Sequence, residues 1–91
     1  MSDKVSILIP SCGEKQENLE RTLRSIWSSA TGDYEVIVGF NGKPDYTIAD
    51  KFEGLDYHEI VFPRNVGIKT NINVLAAMAI GKYIYKSDAH C

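Results

Sequence analysis

Apolar segments of two kinds alternate along this chain of 91 residues, and their order limits the possible folds more than any other feature. Residues 5–9 (VSILI) form a short, nearly continuous apolar run, which is typical of a strand buried on both faces. We expect Pro10 to end that strand. The next apolar residues recur with the spacing of one helix face, and Gly32 stands where a helix stop is expected. The members of that face are Leu19, Leu23, Ile26, Trp27 and Ala30.

Two further strands follow the first helix. Residues 34–40 (YEVIVGF) predict the second strand, which the turn-forming pair Asn41-Gly42 closes. Residues 57–62 (YHEIVF) predict the third strand, because β-branched and aromatic residues dominate them. Between these strands, residues 47–52 predict a short helix.

The last third of the chain repeats the helix-then-strand order. A second helix is predicted, with Gly81 as its C′ residue, and residues 82–85 (KYIY) predict the last strand. The order strand–helix–strand–strand–helix–strand predicts one α/β domain with a mainly parallel sheet between helices, in three α/β/α layers. The apolar face of the second helix consists of Ile68, Ile72, Leu75, Ala76 and Ala79.

Polar residues follow several of the predicted strands. In open parallel sheets, ligands bind outside the carboxyl ends of the strands, where the strand order reverses. Ser11, Asn41 and Asp88 each follow a strand. If the first and last strands are neighbours, these three residues lie on one rim, which is then the predicted ligand site.

The bulk composition excludes several classes of function. A net charge of −2 gives no general attraction to nucleic acid or to an anionic membrane. No apolar stretch approaches the ~20 residues of a membrane span, and the N-terminus lacks the basic region of a signal peptide. We therefore expect a cytoplasmic protein. Cys12 and Cys91 lack metal-binding spacing, so we expect free thiols and no structural zinc.

The final residues, 87–91 (SDAHC), carry the most specific chemical signal. Side chains at positions i and i+2 of an extended chain point to the same face, so Asp88 and His90 are expected to project together. A carboxylate and an imidazole converging at a strand end can hold one divalent cation. The alternative is an ordinary polar terminus without a ligand.

Five motifs follow one another along the chain: residues 5–11 with Glu14, the Asn41-Gly42 turn, residues 64–67 (RNVG) before an alanine-rich helix, residues 81–84 (GKYI), and Asp88-X-His90. In this order and spacing they resemble the inverting glycosyltransferase family 2, which has the GT-A fold. The segment Asp88-Ala89-His90-Cys91 is also similar to the Asp-X-His-Cys segment of polypeptide N-acetylgalactosaminyltransferases.

The resemblance implies a Rossmann-like half of a GT-A domain that binds a nucleotide-diphosphate sugar. In the family the donor is usually a UDP-sugar, bound with Mn²⁺ or Mg²⁺, and the acceptor of this chain is unknown. His90 favours Mn²⁺, because Mg²⁺ strongly prefers oxygen ligands. By this resemblance Pro10, Ser11 and Glu14 line the nucleoside pocket, and Asp88 handles ribose, diphosphate and metal.

The chain departs from the family pattern at two points. Phe40 stands at the position that usually holds a base-contacting aspartate, where its ring either stacks on a base or is buried. The acceptor-side elements and the general base of the family lie beyond the Asp-X-Asp segment. The resemblance therefore implies a chain truncated at its C-terminus, with no catalytic residue assigned and no transferase activity of its own.

Several signals keep a second interpretation. Glu14 is either a nucleotide contact or an early-helix acid favoured by the helix dipole, and Ser11 is either a contact or a plain turn residue. Lys69 either reaches a phosphate or is a solvated charge. The rival function is a noncatalytic nucleotide-binding or protein-interaction module that keeps only the fold, as a possible homo-oligomer. A dinucleotide-binding domain is disfavoured, because no Gly-X-Gly-X-X-Gly follows the first strand.

Overall fold

The computed structural model describes residues 4–11, 13, 15–29, 32–52, 54–81 and 83–86. Predictions made for Cys12, Glu14, Ala30, Asp88, His90 and Cys91 fall outside these described residues. Neither described helix is long and apolar enough to cross a membrane. The elements, in chain order, are β1 (Val5–Ser11), α1 (Gln16–Ser29), β2 (Tyr34–Asn41), a 3₁₀ turn (Ala49–Phe52), β3 (Tyr57–Phe62), α2 (Ile68–Met78) and β4 (Tyr83–Lys86).

The described strands form one parallel sheet with the order β3-β2-β1-β4. The first and last strands are therefore neighbours, as the predicted rim requires. Val5 of β1 lies opposite Tyr34 of β2 and Tyr83 of β4, so the three strands start at the same edge. The predicted α/β fold with a parallel sheet is confirmed.

Alternate residues of the two central strands pack on opposite faces of the sheet. Leu19 and Leu23 of α1 are buried against one face, and Leu75 of α2 is buried against the other. This alternation explains why the strands are apolar throughout, because both faces are covered. The α1 face is built on Ile7, Ile9, Val36 and Val38, and the α2 face on Leu8 and Ile37.

Pro10 does not end β1, which continues to Ser11. The nitrogen of Val5 donates to Asp33 of the β2 side, so odd-numbered residues of β1 direct their N–H groups towards β2. Pro10 therefore faces the β4 side, where the described pairing stops at Leu8 and Lys86. Among the described residues, the missing N–H of the proline therefore costs no ladder hydrogen bond, which explains why the strand tolerates it.

Gly81 does not have the predicted C′ role. Helix α2 ends at Met78, with Ala79 as an extended C-cap, and Gly81 is not among the described glycines with positive φ. The glycine instead allows this segment to lie close to β1, because a Cβ at Gly81 would lie 2.5 Å from the Ser6 Oγ and 2.8 Å from the Lys4 carbonyl oxygen. The glycine lets the chain enter β4 directly against β1.

Candidate functional site

The carboxyl ends of β1 and β2 border a cavity of about 260 Å³. Ser11 is the last residue of β1, and Phe40 and Asn41 close β2, so strand geometry alone brings these three together. The segment that follows β2 forms the other wall. The lining residues are Ser11, Gly13, Phe40, Asn41, Gly42, Lys43, Pro44, Asp45 and Tyr46.

Asn41 fixes the shape of this rim. Its Oδ1 accepts a hydrogen bond from the backbone N–H of Val66 at 3.4 Å, which ties the end of β2 to the loop before α2. Gly42 N donates to the Phe62 carbonyl oxygen at 3.1 Å and ties the same turn to the end of β3. The ends of β2 and β3 and the loop before α2 are thereby held in one arrangement.

The Phe40 ring is buried, with 4% of its surface exposed. It packs with Ile48 and Phe52 in the α1-side core, and it meets the Tyr46 ring edge-on at 6.2 Å between centroids. Of the two interpretations of Phe40, burial is the one observed. Phe40 thus supplies an apolar floor to the cavity.

The other predicted donor-site residues are distributed unevenly. Pro10 is fully buried within β1 and does not line the cavity. Lys69 is exposed in the first turn of α2, also outside the cavity lining. Glu14, Asp88 and His90 lie outside the described residues. The structure therefore brings together Ser11, Phe40 and Asn41, and the remaining assignments stay predictions.

Sequence reasoning missed Lys43, Asp45 and Tyr46, which contribute side chains to the cavity wall. The predicted Asn41-Gly42 turn indicates a loop at this point, but no pattern in the sequence indicates which loop residues line the cavity. A larger open groove of about 950 Å³ runs along α1, lined mostly by charged and hydroxyl side chains. It is the exposed surface of one helix and shows no convergence of groups from different strands.

A second group of ionisable side chains lies at the opposite, amino edge of the sheet. Glu35 is the second residue of β2, Asp56 directly precedes β3, and His58 is the second residue of β3. His58 Nε2 lies 2.6 Å from Asp56 Oδ1 and 3.7 Å from Glu35 Oε1. One ligating atom from each residue falls within 4.8 Å of the other two.

Hydrogen bonds hold this group in place. Glu35 Oε2 accepts from Ser6 Oγ at 2.6 Å and from the N–H of Ile80 at 2.8 Å. Asp56 Oδ2 accepts from Lys4 Nζ at 2.6 Å. This bond lowers the pKa of Asp56 and raises the pKa of Lys4, because each charge favours the other.

The sequence model of the family described as Glycosyl transferase family 2 matches residues 6–91. The chain belongs to this family. No curated protein matches it at a significant level. The family assignment and the Rossmann-like parallel sheet confirm the resemblance drawn from the five motifs. The similarity of residues 88–91 to polypeptide N-acetylgalactosaminyltransferases stays a prediction.

Members of this family often use a divalent cation, so the described residues can be tested for one. At the cavity they provide a single carboxylate, Asp45, which is too few for a cation site. The group of three that could hold a metal is at the amino edge. Glu35 and Asn41 lie six positions apart in β2, and at about 3.3 Å per residue the two edges are about 20 Å apart. The amino-edge group therefore does not serve a diphosphate in the cavity.

Proposed function

We propose that the carboxyl-edge cavity binds the nucleoside part of a nucleotide-diphosphate sugar. The chain would then be the donor-binding part of a glycosyltransferase, with an acceptor still to be identified. The observation that carries this proposal is the convergence of Ser11, Phe40 and Asn41 at the carboxyl edge of a family 2 domain. Ligands bind at this edge in parallel sheets generally.

The size of the cavity supports a nucleoside as its occupant. Pockets for whole drug-sized ligands measure about 300–1,000 Å³, and this cavity of about 260 Å³ suits one ring system with its ribose. The diphosphate and sugar would extend along the rim towards β4, which pairs with β1. Asp88 and His90 follow β4 in the sequence and are the proposed ligands of Mn²⁺. Such a cation would neutralise the charge on the leaving diphosphate.

Asp45 is the proposed base-reading residue. Phe40 has no hydrogen-bonding group, and Asp45 is the carboxylate among the described cavity residues. A carboxylate accepts the N3–H of uracil, which cytosine does not have, and this chemistry supports a UDP-sugar as donor. We expect Asp45→Asn to weaken UDP binding about tenfold, the equivalent of about 1.4 kcal/mol, and to reduce the preference for UDP over CDP.

Nucleotide binding is the test of the proposal. Ligand at ten times its dissociation constant stabilises the folded state by about 1.4 kcal/mol, which corresponds to a rise of roughly 5–10 °C in the melting temperature of a domain this small. We expect UDP with Mn²⁺ to produce this rise and Asp88→Asn to remove it. Asp50→Asn is the matched control, because Asp50 is exposed in the 3₁₀ turn outside the cavity. Absence of UDP binding by calorimetry at millimolar ligand would contradict the proposal.

One observation favours the noncatalytic interaction module as a second candidate. Strand β4 lies at an edge of the described sheet and exposes three large apolar side chains, those of Tyr83, Ile84 and Tyr85. Exposed apolar edge strands readily pair with other chains. Light scattering after size-exclusion chromatography separates the two candidates: a stable dimer that binds no UDP would favour the module, and a monomer that binds UDP would exclude it.

A further inference from the structure

The amino-edge group remains unexplained by donor binding, which occupies the other edge of the sheet. We propose that Glu35, Asp56 and His58 form a site for a Zn²⁺-class divalent cation. This site is independent of any cation bound with the donor, since the two edges lie about 20 Å apart at about 3.3 Å per strand residue.

Each of the two carboxylates directs one oxygen at His58, and its other oxygen accepts hydrogen bonds from other parts of the chain. Glu35 Oε2 is bound by Ser6 and by the backbone of Ile80, which leaves Oε1 directed at His58 Nε2. Asp56 Oδ2 is bound by Lys4, which leaves Oδ1 directed at the same nitrogen. Metal-binding carboxylates and imidazoles are oriented by such outer partners. The arrangement therefore presents two carboxylate oxygens and one ring nitrogen to a single point.

Glu35 is the buried member of the group. Its side chain is 3% exposed, and buried carboxylates need hydrogen bonds to both oxygens or a bound cation. Its Oε1 lies 3.7 Å from His58 Nε2, which is beyond hydrogen-bond distance. A cation between Oε1 and Nε2 would bind both atoms across this gap.

The distances are close to those that zinc requires. Zn²⁺ binds nitrogen and oxygen at about 2.0–2.2 Å, and a tetrahedral centre then separates its ligand atoms by roughly 3.3 Å. The observed separations are 2.6 Å between Asp56 Oδ1 and His58 Nε2 and 3.7 Å between His58 Nε2 and Glu35 Oε1. Both values are within 1 Å of that separation, the two carboxylate oxygens lie within 4.8 Å of each other, and His58 can adjust its position because half of its side chain is exposed.

The types of ligand atom at this site favour some cations over others. One imidazole and two carboxylates suit Zn²⁺, with water in the fourth position, and Mg²⁺ would leave the imidazole unused. Affinity for such mixed sites rises from Mn²⁺ to Zn²⁺. Bound Zn²⁺ takes the place of the Nε2 proton, so the cation and the proton compete for His58. Zinc would bridge β2 and β3 and strengthen the edge pairing of β3.

A zinc titration tests the proposal on the full chain. The other possible zinc ligands are removed by Cys12→Ser, Cys91→Ser and His90→Gln, which leaves His58 as the sole histidine. We expect this background variant to bind one Zn²⁺ by calorimetry. At 100 times the dissociation constant, zinc should raise the melting temperature by about 10–20 °C. Mg²⁺ should give no comparable rise.

Variants then locate the binding. His58→Gln changes a half-exposed side chain and should abolish zinc binding in a chain that still folds. Glu35→Gln should abolish it as well, and Ser6→Ala, which releases Glu35 Oε2, should weaken it about tenfold. Zinc binding that is unchanged in His58→Gln would overturn the proposal. So would a background variant that binds no zinc up to about 1 mM, since a folded three-ligand site binds more tightly than −4.1 kcal/mol.

Discussion

Substitution of Gly39 by alanine is the sharpest test of how α2 packs on the sheet. Gly39 lies on the α2 face of β2, and a Cβ there would lie 2.0 Å from Asn71 Oδ1, 2.9 Å from Asn71 Cγ and 3.1 Å from Leu75 Cδ2. Asn71 is fully buried and donates from Nδ2 to the Gly39 carbonyl oxygen at 2.9 Å. Its side chain therefore has no room to retreat while that hydrogen bond is kept.

The cost of Gly39→Ala follows from these contacts. Overpacking of a filled core costs about 1–3 kcal/mol, and loss of the Asn71 hydrogen bond adds about 1 kcal/mol. We expect a total near 3 kcal/mol, a large share of the roughly 5–15 kcal/mol that stabilises a small domain. The melting temperature should fall by roughly 12–24 °C.

Urea denaturation measures this change, with the fluorescence of Trp27, the sole tryptophan, as the signal. Asn71→Ala is the matched partner, since it removes the obstacle that the new methyl group meets. The double variant should be more stable than the sum of the two single effects predicts, by at least 1 kcal/mol. A Gly39→Ala protein within about 0.5 kcal/mol of the wild type would refute the packing described for α2, because surface changes fall in that range.

Three other substitutions test separate contacts. Trp27 stacks on Phe52 at 4.7 Å between ring centroids. Trp27→Ala should therefore lower the free energy of unfolding by about 3 kcal/mol, measured by thermal unfolding followed by circular dichroism. A loss below about 1 kcal/mol would contradict the stacking. Glu35→Ala removes the acceptor of the Ile80 N–H hydrogen bond, so it should lower the free energy of unfolding in urea by about 2–3 kcal/mol. An unchanged midpoint of urea denaturation would contradict that contact. Burial raises the pKa of Tyr57 above its ordinary value of 10.0, because the folded state favours the neutral hydroxyl. The stability that comes from this shift is fully present below pH 10.0 and is lost as the pH rises further. Tyr57→Phe should flatten the loss of stability above pH 10.0, and an identical alkaline limb would contradict this.

Strand and helix positions were largely predictable from local pattern. β3 begins and ends where the sequence predicts, and β2 extends one residue further, to Asn41. These strands are buried by helices on both faces, so their apolar runs are continuous and easy to recognise. The order of the strands was left open by the sequence, which predicted a shared rim on the condition that the first and last strands are neighbours, and the structure meets that condition.

The errors arose where tertiary contacts override local rules. Pro10 was predicted to stop β1, but its nitrogen faces the side on which the described β4 pairing has already ended, which the sequence of β1 alone does not reveal. Gly81 was predicted as a helix C′ residue on spacing, and its absent side chain instead admits Ser6 and Lys4 of β1. In both cases the deciding partner is more than seventy positions distant in the chain.

The cavity was partly predictable and the amino-edge group was not. Ser11 and Asn41 share a rim because parallel strands end together, a property of the fold class. Asp45 and Tyr46 lie in an irregular segment whose path no periodicity specifies, so their place in the wall needed coordinates. Asp56 and His58 are unremarkable in sequence, and only pairing with β2 brings them beside Glu35.

The polar residues inside the apolar strands connect these observations. Ser6 and Glu35 are buried in the two central strands, where an apolar pair would pack at lower desolvation cost. They accept hydrogen bonds from the backbone N–H groups of Ile80 and Gly81, which lie just before β4. These bonds fix the start of β4, the strand that Asp88 and His90 follow in the sequence. A buried carboxylate at the amino edge thus helps to set the position of the strand that leads to the proposed donor site at the other edge. The other oxygen of the same carboxylate faces His58, so β2 contributes residues to both proposed sites of this glycosyl transferase family 2 domain.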